Sequence, residues 1–169
     1  MKKRVGKKAQ GFLGMGFGMI FSIFLIIIFI AVAIYAITKF LDYKDCIQIG
    51  TFMGDLQDEV SVVFNRQAGD FPFPRTLPTK IDFVCFGNLS KPIKGSSQDI
   101  GQDLARYDVE GSNMFFYPRE NACLKTNTIT HLNITSMTKK DNPYCIPVIN
   151  GKITITVSRG FAEGLVKLS

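Results

Sequence analysis

Residues 9–38 read AQGFLGMGFGMIFSIFLIIIFIAVAIYAIT, thirty residues without one charged side chain. Burying a charge in hydrocarbon is expensive, so an uncharged run of this length predicts a membrane-spanning helix. A helix rises about 1.5 Å per residue, which lets this stretch cross a core of roughly 30 Å with some tilt. The chain beyond it is therefore expected to be an anchored domain. Before it stands MKKRVGKK, with Lys2, Lys3, Arg4, Lys7 and Lys8 and no acid. Basic residues stay on the cytoplasmic side, which predicts a cytoplasmic N-terminus and an extracytoplasmic 41–169. The flank beyond the run (Lys39, Asp42, Lys44, Asp45) is balanced and does not oppose that orientation.

The formal charge of +6 is a topology signal rather than a partner signal. Five of the twenty Lys and Arg lie in the leader and all fourteen acids lie beyond it, leaving fifteen bases against fourteen acids outside. A near-neutral outer domain does not point to nucleic acid. With 169 residues, one domain beyond the helix is expected, large enough for a single modest core.

Cys46, Cys85, Cys123 and Cys145 all fall on the outer side. An even count in an exported domain reads as two disulfides, with four buried thiols as the alternative. Zinc is disfavoured, because no pair has ligand-like spacing and there is one histidine. Three pairings are open. Geometry favours Cys46–Cys85 with Cys123–Cys145. A helix from residue 46 to 68 climbs about 33 Å, and an extended return over 75–85 descends about as far.

From 39 to 67 there is no proline, and the pattern turns amphipathic. Cys46, Ile49, Met53, Leu56, Val60 and Val63 are spaced 3-4-3-4-3, one apolar stripe on a helix. The stripe either packs on the domain's own sheet or forms a short coiled-coil seam. Asp55, Asp58 and Glu59 occupy other faces. Gly69 and the Phe-Pro-Phe-Pro of 71–74 are expected to end the helix.

Strands are expected at 81–86 (IDFVCF), 113–118 (NMFFYP) and, more weakly, 128–135 (TITHLNIT). Ser96, with Asp99 three residues on, can open a short helix with Ile100, Leu104 and Tyr107 on one face. Asn150-Gly151 between 145–149 and 152–158 is a strong hairpin signal. In its second strand Ile153, Ile155 and Val157 face one way and Thr154, Thr156 and Ser158 the other.

A basic leader, an uninterrupted apolar helix extended by an amphipathic half, and a cysteine-bearing β head together resemble the type IV pilin superfamily, including archaeal pilins and archaellins. Lys7-Lys8-Ala9-Gln10 is similar to a class III signal peptide site, which implies cleavage after Ala9 by a prepilin peptidase. The glycine-rich 11–16 (GFLGMG) is similar to the start of archaellin helices. The position where bacterial pilins carry an acid is Gly14 here.

The glycines also carry a physical argument. Gly11, Gly14, Gly18 and Ser22 fall on one helical stripe, the small-residue pattern that lets two helices approach closely in lipid. Asn88-Leu-Ser90 and Asn133-Ile-Thr135 are N-glycosylation sequons. His131 is placed on a strand face with Asn133, as an exposed polar residue. Asp99, Asp103, Asp108 and Glu110 lack the convergent spacing of a calcium loop and read as a solvated face. No nucleophile elbow, phosphate loop or HExxH occurs. The fifteen Phe and five Tyr read as core, although Phe71 and Phe73 between prolines could be exposed.

The expected organisation is a leader over 1–9, a transmembrane helix over 10–38, an amphipathic extension over 39–69 and a β-rich head over 70–169. The fold class is α+β: a long N-terminal helix packed on a small, mainly antiparallel sheet head with two disulfides. The expected role is a non-catalytic, pilin-like structural subunit, with no cofactor, metal, nucleic acid or small-molecule substrate. Its partners are the lipid bilayer and either copies of itself or other membrane helices. The rival is a signal-anchored binding or accessory module, with loop 88–98 or the Phe-Pro segment as contact surface. A third possibility is release of the head by cleavage at the A-x-A of Ala31-Val32-Ala33.

Overall fold

The computed structural model of the protein describes residues 10–66, 68–106, 111–123 and 126–169. The leader, Gln67, Tyr107, Asp108 and Glu110 lie outside them. Helix α1 runs Gln10–Asn65 without interruption. The chain divides into two compact units between Tyr43 and Lys44, with α1 contributing to both. In the first, the large apolar side chains from Met19 to Tyr43 are exposed. Such a surface is compatible with a helix that spans a membrane.

In the second unit, α1 supplies one wall of the core. Ile49, Leu56, Val60 and Val63 are fully buried, and Met53 and Phe52 nearly so. The apolar stripe read from the sequence therefore packs on the head's own sheets, not in a coiled-coil seam. Each such side chain contributes about 1.5–3 kcal/mol on burial.

The other elements are β1 (Gly69–Thr76), β2 (Phe83–Phe86), α2 (Gln98–Ala105), β3 (Met114–Tyr117), a 3₁₀ turn (Arg119–Asn121), β4 (Thr126–Asn127), α3 (Ile134–Met137), β5 (Tyr144–Pro147), β6 (Lys152–Arg159) and β7 (Lys167–Leu168). They form two antiparallel sheets, ordered β1-β6-β7 and β4-β3-β2-β5. Alternation along each strand assigns the faces. Val84, Phe86, Met114, Phe116 and Ile146 join α1 in the main core, as do Phe73, Ile153, Ile155, Val157 and Leu168 of the other sheet. Cys85, Phe115 and Cys145 face the opposite way and pack with Ile100 and Leu104 of α2. The four-stranded sheet is thus covered on both faces, which is why 83–86 and 114–117 read as continuous apolar runs.

Several expectations are corrected. β1 occupies a stretch read as a helix terminator. Its two prolines are tolerated because β1 is an edge strand, where a missing N–H costs no ladder bond. Phe73 is buried, with its ring 5.9 Å from that of Phe52, and Phe71 is half-buried, so neither is an exposed contact residue. Gly69 is the first residue of β1, paired with Arg159, rather than a helix cap. The 128–135 segment is not a strand. It holds an irregular turn with His131 at φ 66° and one bridge, Leu132 to Val166, before α3 begins. Helix α2 is preceded by Ser97, not capped by Ser96, whose hydroxyl is bonded to Asp141 instead.

The Asn150-Gly151 turn forms with φ of 52° and 70°, the positive pair a type I′ turn requires. Ile149 and Lys152 exchange both main-chain bonds across it at 2.9 Å. Beyond that pair the arms separate: β5 joins β2 in one sheet and β6 joins β1 in the other. The turn thus forms the expected hairpin tip, closed by one antiparallel pair, and its arms then enter different sheets.

The disulfides are Cys46–Cys123 and Cys85–Cys145, which overturns the favoured pairing. The geometric estimate assumed one extended return over 75–85. Instead β1 stops at Thr76, and 77–82 carry the chain into the second sheet. There Cys85 lies directly opposite Cys145 in the β2–β5 register, with Cα atoms 4.0 Å apart. Cys123 is left to reach α1 at Cys46.

Candidate functional site

Three regions carry features that packing alone does not require. The first is the exposed helix surface. Gly18 has open space where a Cβ would stand, and Ser22 Oγ donates to the Gly18 carbonyl at 2.8 Å. The Ser22 hydroxyl is thus satisfied within its own helix, which leaves the stripe small and free of competing polar demand. Gly11 and Gly14 share that stripe by helical spacing. The processing site is divided: Lys8 and Ala9 lie outside the described residues, and Gln10 is the first residue of α1.

The second is the top of α1. Phe64 stacks on His131, ring centroids 3.9 Å apart and planes 16° from parallel. The Arg159 guanidinium carbon lies 5.4 Å from the same ring centroid. His131 is exposed, as expected, but it sits in a turn stacked on an aromatic and not on a strand face with Asn133. The Asn133 side chain instead accepts from Ser136 N–H at 3.0 Å, capping α3. Glu163 accepts from Lys167, which holds its carboxyl below the usual carboxylate range.

The third region is a cavity of about 330 Å³ lined by Lys91, Pro92, Lys94, Thr135, Thr138, Lys139 and Asn142. Its floor is built around Asn142, the buried polar side chain among the described residues. Asn142 Oδ1 accepts from Asn88 N–H at 3.2 Å, and Nδ2 donates to the carbonyls of Asn88 and Pro92 at 3.0 and 3.1 Å. Lys94 and Asn142 exchange main-chain bonds at 3.0 and 2.9 Å. Loop 88–96 is thereby fastened to 139–142. The adjacent Asp141 accepts from Ser96 N–H at 2.6 Å and Ser96 O–H at 2.9 Å. Those bonds, with help from Lys140 and Lys94, hold its carboxyl below the usual range.

The sequons meet beside this region. Asn88, Leu89, Ser90 and Ile134 line one smaller concavity, bringing together segments distant in sequence. Asn88 Oδ1 accepts from Ser90 N–H at 2.9 Å. Of the acidic group, Asp99 and Asp103 lie on α2, and Asp103 is 3.7 Å from Arg106; Asp108 and Glu110 lie outside the described residues. Among the described residues no three His, Cys, Asp or Glu side chains converge as a metal site would need. No sequence pattern assembles the lysine cavity, although loop 88–98 is a contact candidate. Its second half, 135–142, carries the only other signal, the basic pair Lys139-Lys140.

A long apolar N-terminal helix and two disulfides are compatible with a membrane-anchored protein bearing an extracellular head. Comparison with family models, with curated proteins and with solved structures gives no match.

Proposed function

We propose that the chain is a single-pass, non-catalytic structural subunit of the pilin-like kind, with its N-terminus cytoplasmic and its head extracytoplasmic. One observation carries this reading. A single helix, Gln10–Asn65, presents exposed apolar side chains in its first part and serves as a core wall of a disulfide-closed β head in its second. A helix used only as a tether has no need to supply the core of the domain it carries. The small-residue stripe of Gly11, Gly14, Gly18 and Ser22 supplies a surface for association between such helices.

Assembly through that stripe requires removal of the basic leader, since five positive charges at a helix end obstruct packing in an apolar bundle. The test is the mass of the N-terminal peptide of protein isolated from its own membranes. A start at Gln10 supports the subunit reading. A start at Met1 replaces it with a signal-anchored module.

A further inference from the structure

We propose that the Lys91–Lys94–Lys139 cavity is a binding site for a carboxylate-bearing saccharide. The extracytoplasmic placement of the head, itself proposed, bears only on where such a ligand would be met. Three observations carry the site. First, three lysines and no acid line the cavity, in a domain whose charges otherwise nearly cancel. Second, those lysines are differently employed. Lys94 Nζ donates to the Lys139 carbonyl at 2.7 Å and is spent on structure. The ammonium groups of Lys91 and Lys139 have no ion pair among the described residues. Asp141, an acid close by in the chain, already accepts twice from Ser96, so it competes weakly for them.

Third, the site is preformed. The bonds of buried Asn142 fix both walls before any ligand arrives, which removes the ordering cost that a loose loop would pay on binding. The lining is more apolar than polar, and Pro92, Thr135 and Thr138 line it together with the lysines. A ligand with a C–H face, hydroxyl groups and an anionic substituent matches that arrangement. No aromatic ring lines the cavity, so a nucleobase has nothing on which to stack.

The experiment is calorimetric titration of the purified full chain in detergent. The probes are an oligogalacturonide, a neutral maltooligosaccharide of equal length and a single-stranded oligodeoxynucleotide. The oligogalacturonide is expected to bind, more weakly as salt is raised, and the maltooligosaccharide is not. Lys91→Gln with Lys139→Gln should weaken binding at least about tenfold. Lys152→Gln, an exposed lysine on β6, should leave it unchanged. Failure of the oligogalacturonide to bind, equal loss in the Lys152 variant, or tighter binding of the oligodeoxynucleotide overturns the proposal. Binding to purified protein does not depend on orientation, so protease protection in intact cells tests the extracytoplasmic placement separately.

Discussion

Arg159 caps the helix that ends at Phe64 and Asn65. Its Nη1 donates to the Phe64 carbonyl and, at 3.1 Å, to that of Arg66, while Nε donates to the Glu163 carbonyl at 3.1 Å. The last carbonyls of a helix lack partners and carry partial negative charge, so a guanidinium there satisfies both demands. One side chain thereby joins the end of α1, the end of β6 and the 160–165 turn. Arg159→Ala should cost about 2 kcal/mol. Arg159→Lys should recover only part of this, because an ammonium keeps the charge but not the planar fork. Urea unfolding of the full chain in detergent measures both.

The disulfide connectivity is directly checkable. A non-reducing peptide map should yield linked peptides containing Cys46 with Cys123 and Cys85 with Cys145. The closed loops span 77 and 60 residues, so removing either bridge should cost about 4 kcal/mol on the chain-entropy account. Cys85→Ala with Cys145→Ala should cost more than Cys46→Ser with Cys123→Ser, because Cys85 is wholly buried under α2 and its loss also leaves a void.

The stripe at 49, 53, 56, 60 and 63 and the alternation at 153, 155 and 157 are legible in the chain alone, because burial imposes a period of 3.6 on a helix and 2 on a strand. β1 is not, since Pro72 and Pro74 break most structures and only the edge position rescues them. The cysteine pairing is not legible either. It depends on which sheet receives the chain after Thr76, and no local pattern encodes that choice. The lysine cavity obeys the same rule: its walls meet through long-range bonds of Asn142, Asp141 and Lys94 that join loop 88–96 to 139–142.

The sheet-dividing turn should be sensitive at Gly151. Its φ is 70°, and a Cβ there would stand 2.9 Å from the Leu77 carbonyl oxygen. Gly151→Ala should therefore destabilise by about 1–2 kcal/mol from the backbone term alone, with the contact adding to it. Asn150→Gly, which keeps the turn type, should cost far less. Thermal unfolding of the two variants side by side distinguishes them.

Acid should loosen the 88–96 and 139–142 connection. Ser96 donates its N–H and O–H to the ionised Asp141 carboxylate, and those bonds set its pKa below the unfolded value. The stabilisation is therefore complete above the ordinary carboxylate pKa and is lost as pH falls through the lowered, folded value. Carboxyl carbon chemical shifts should show Asp141 titrating below the ordinary aspartate value. Asp141→Asn should flatten the acid limb of the stability profile. A titration of Asp141 at an ordinary carboxylate pKa would contradict the bonds to Ser96.

Association through α1 makes a face-specific prediction. Gly18 and Gly16 both have open space where a Cβ would stand, so isoleucine at either is accommodated in the single chain. Gly18 lies on the stripe with Gly14 and Ser22, whereas Gly16, two residues and about 200° away, lies on nearly the opposite face. Gly18→Ile should prevent close approach and weaken self-association by on the order of 1 kcal/mol. Gly16→Ile should leave it intact. Crosslinking yield in membranes reads the difference. Equal yields from both variants and the unmodified chain would remove the stripe as an association surface, leaving α1 as an anchor.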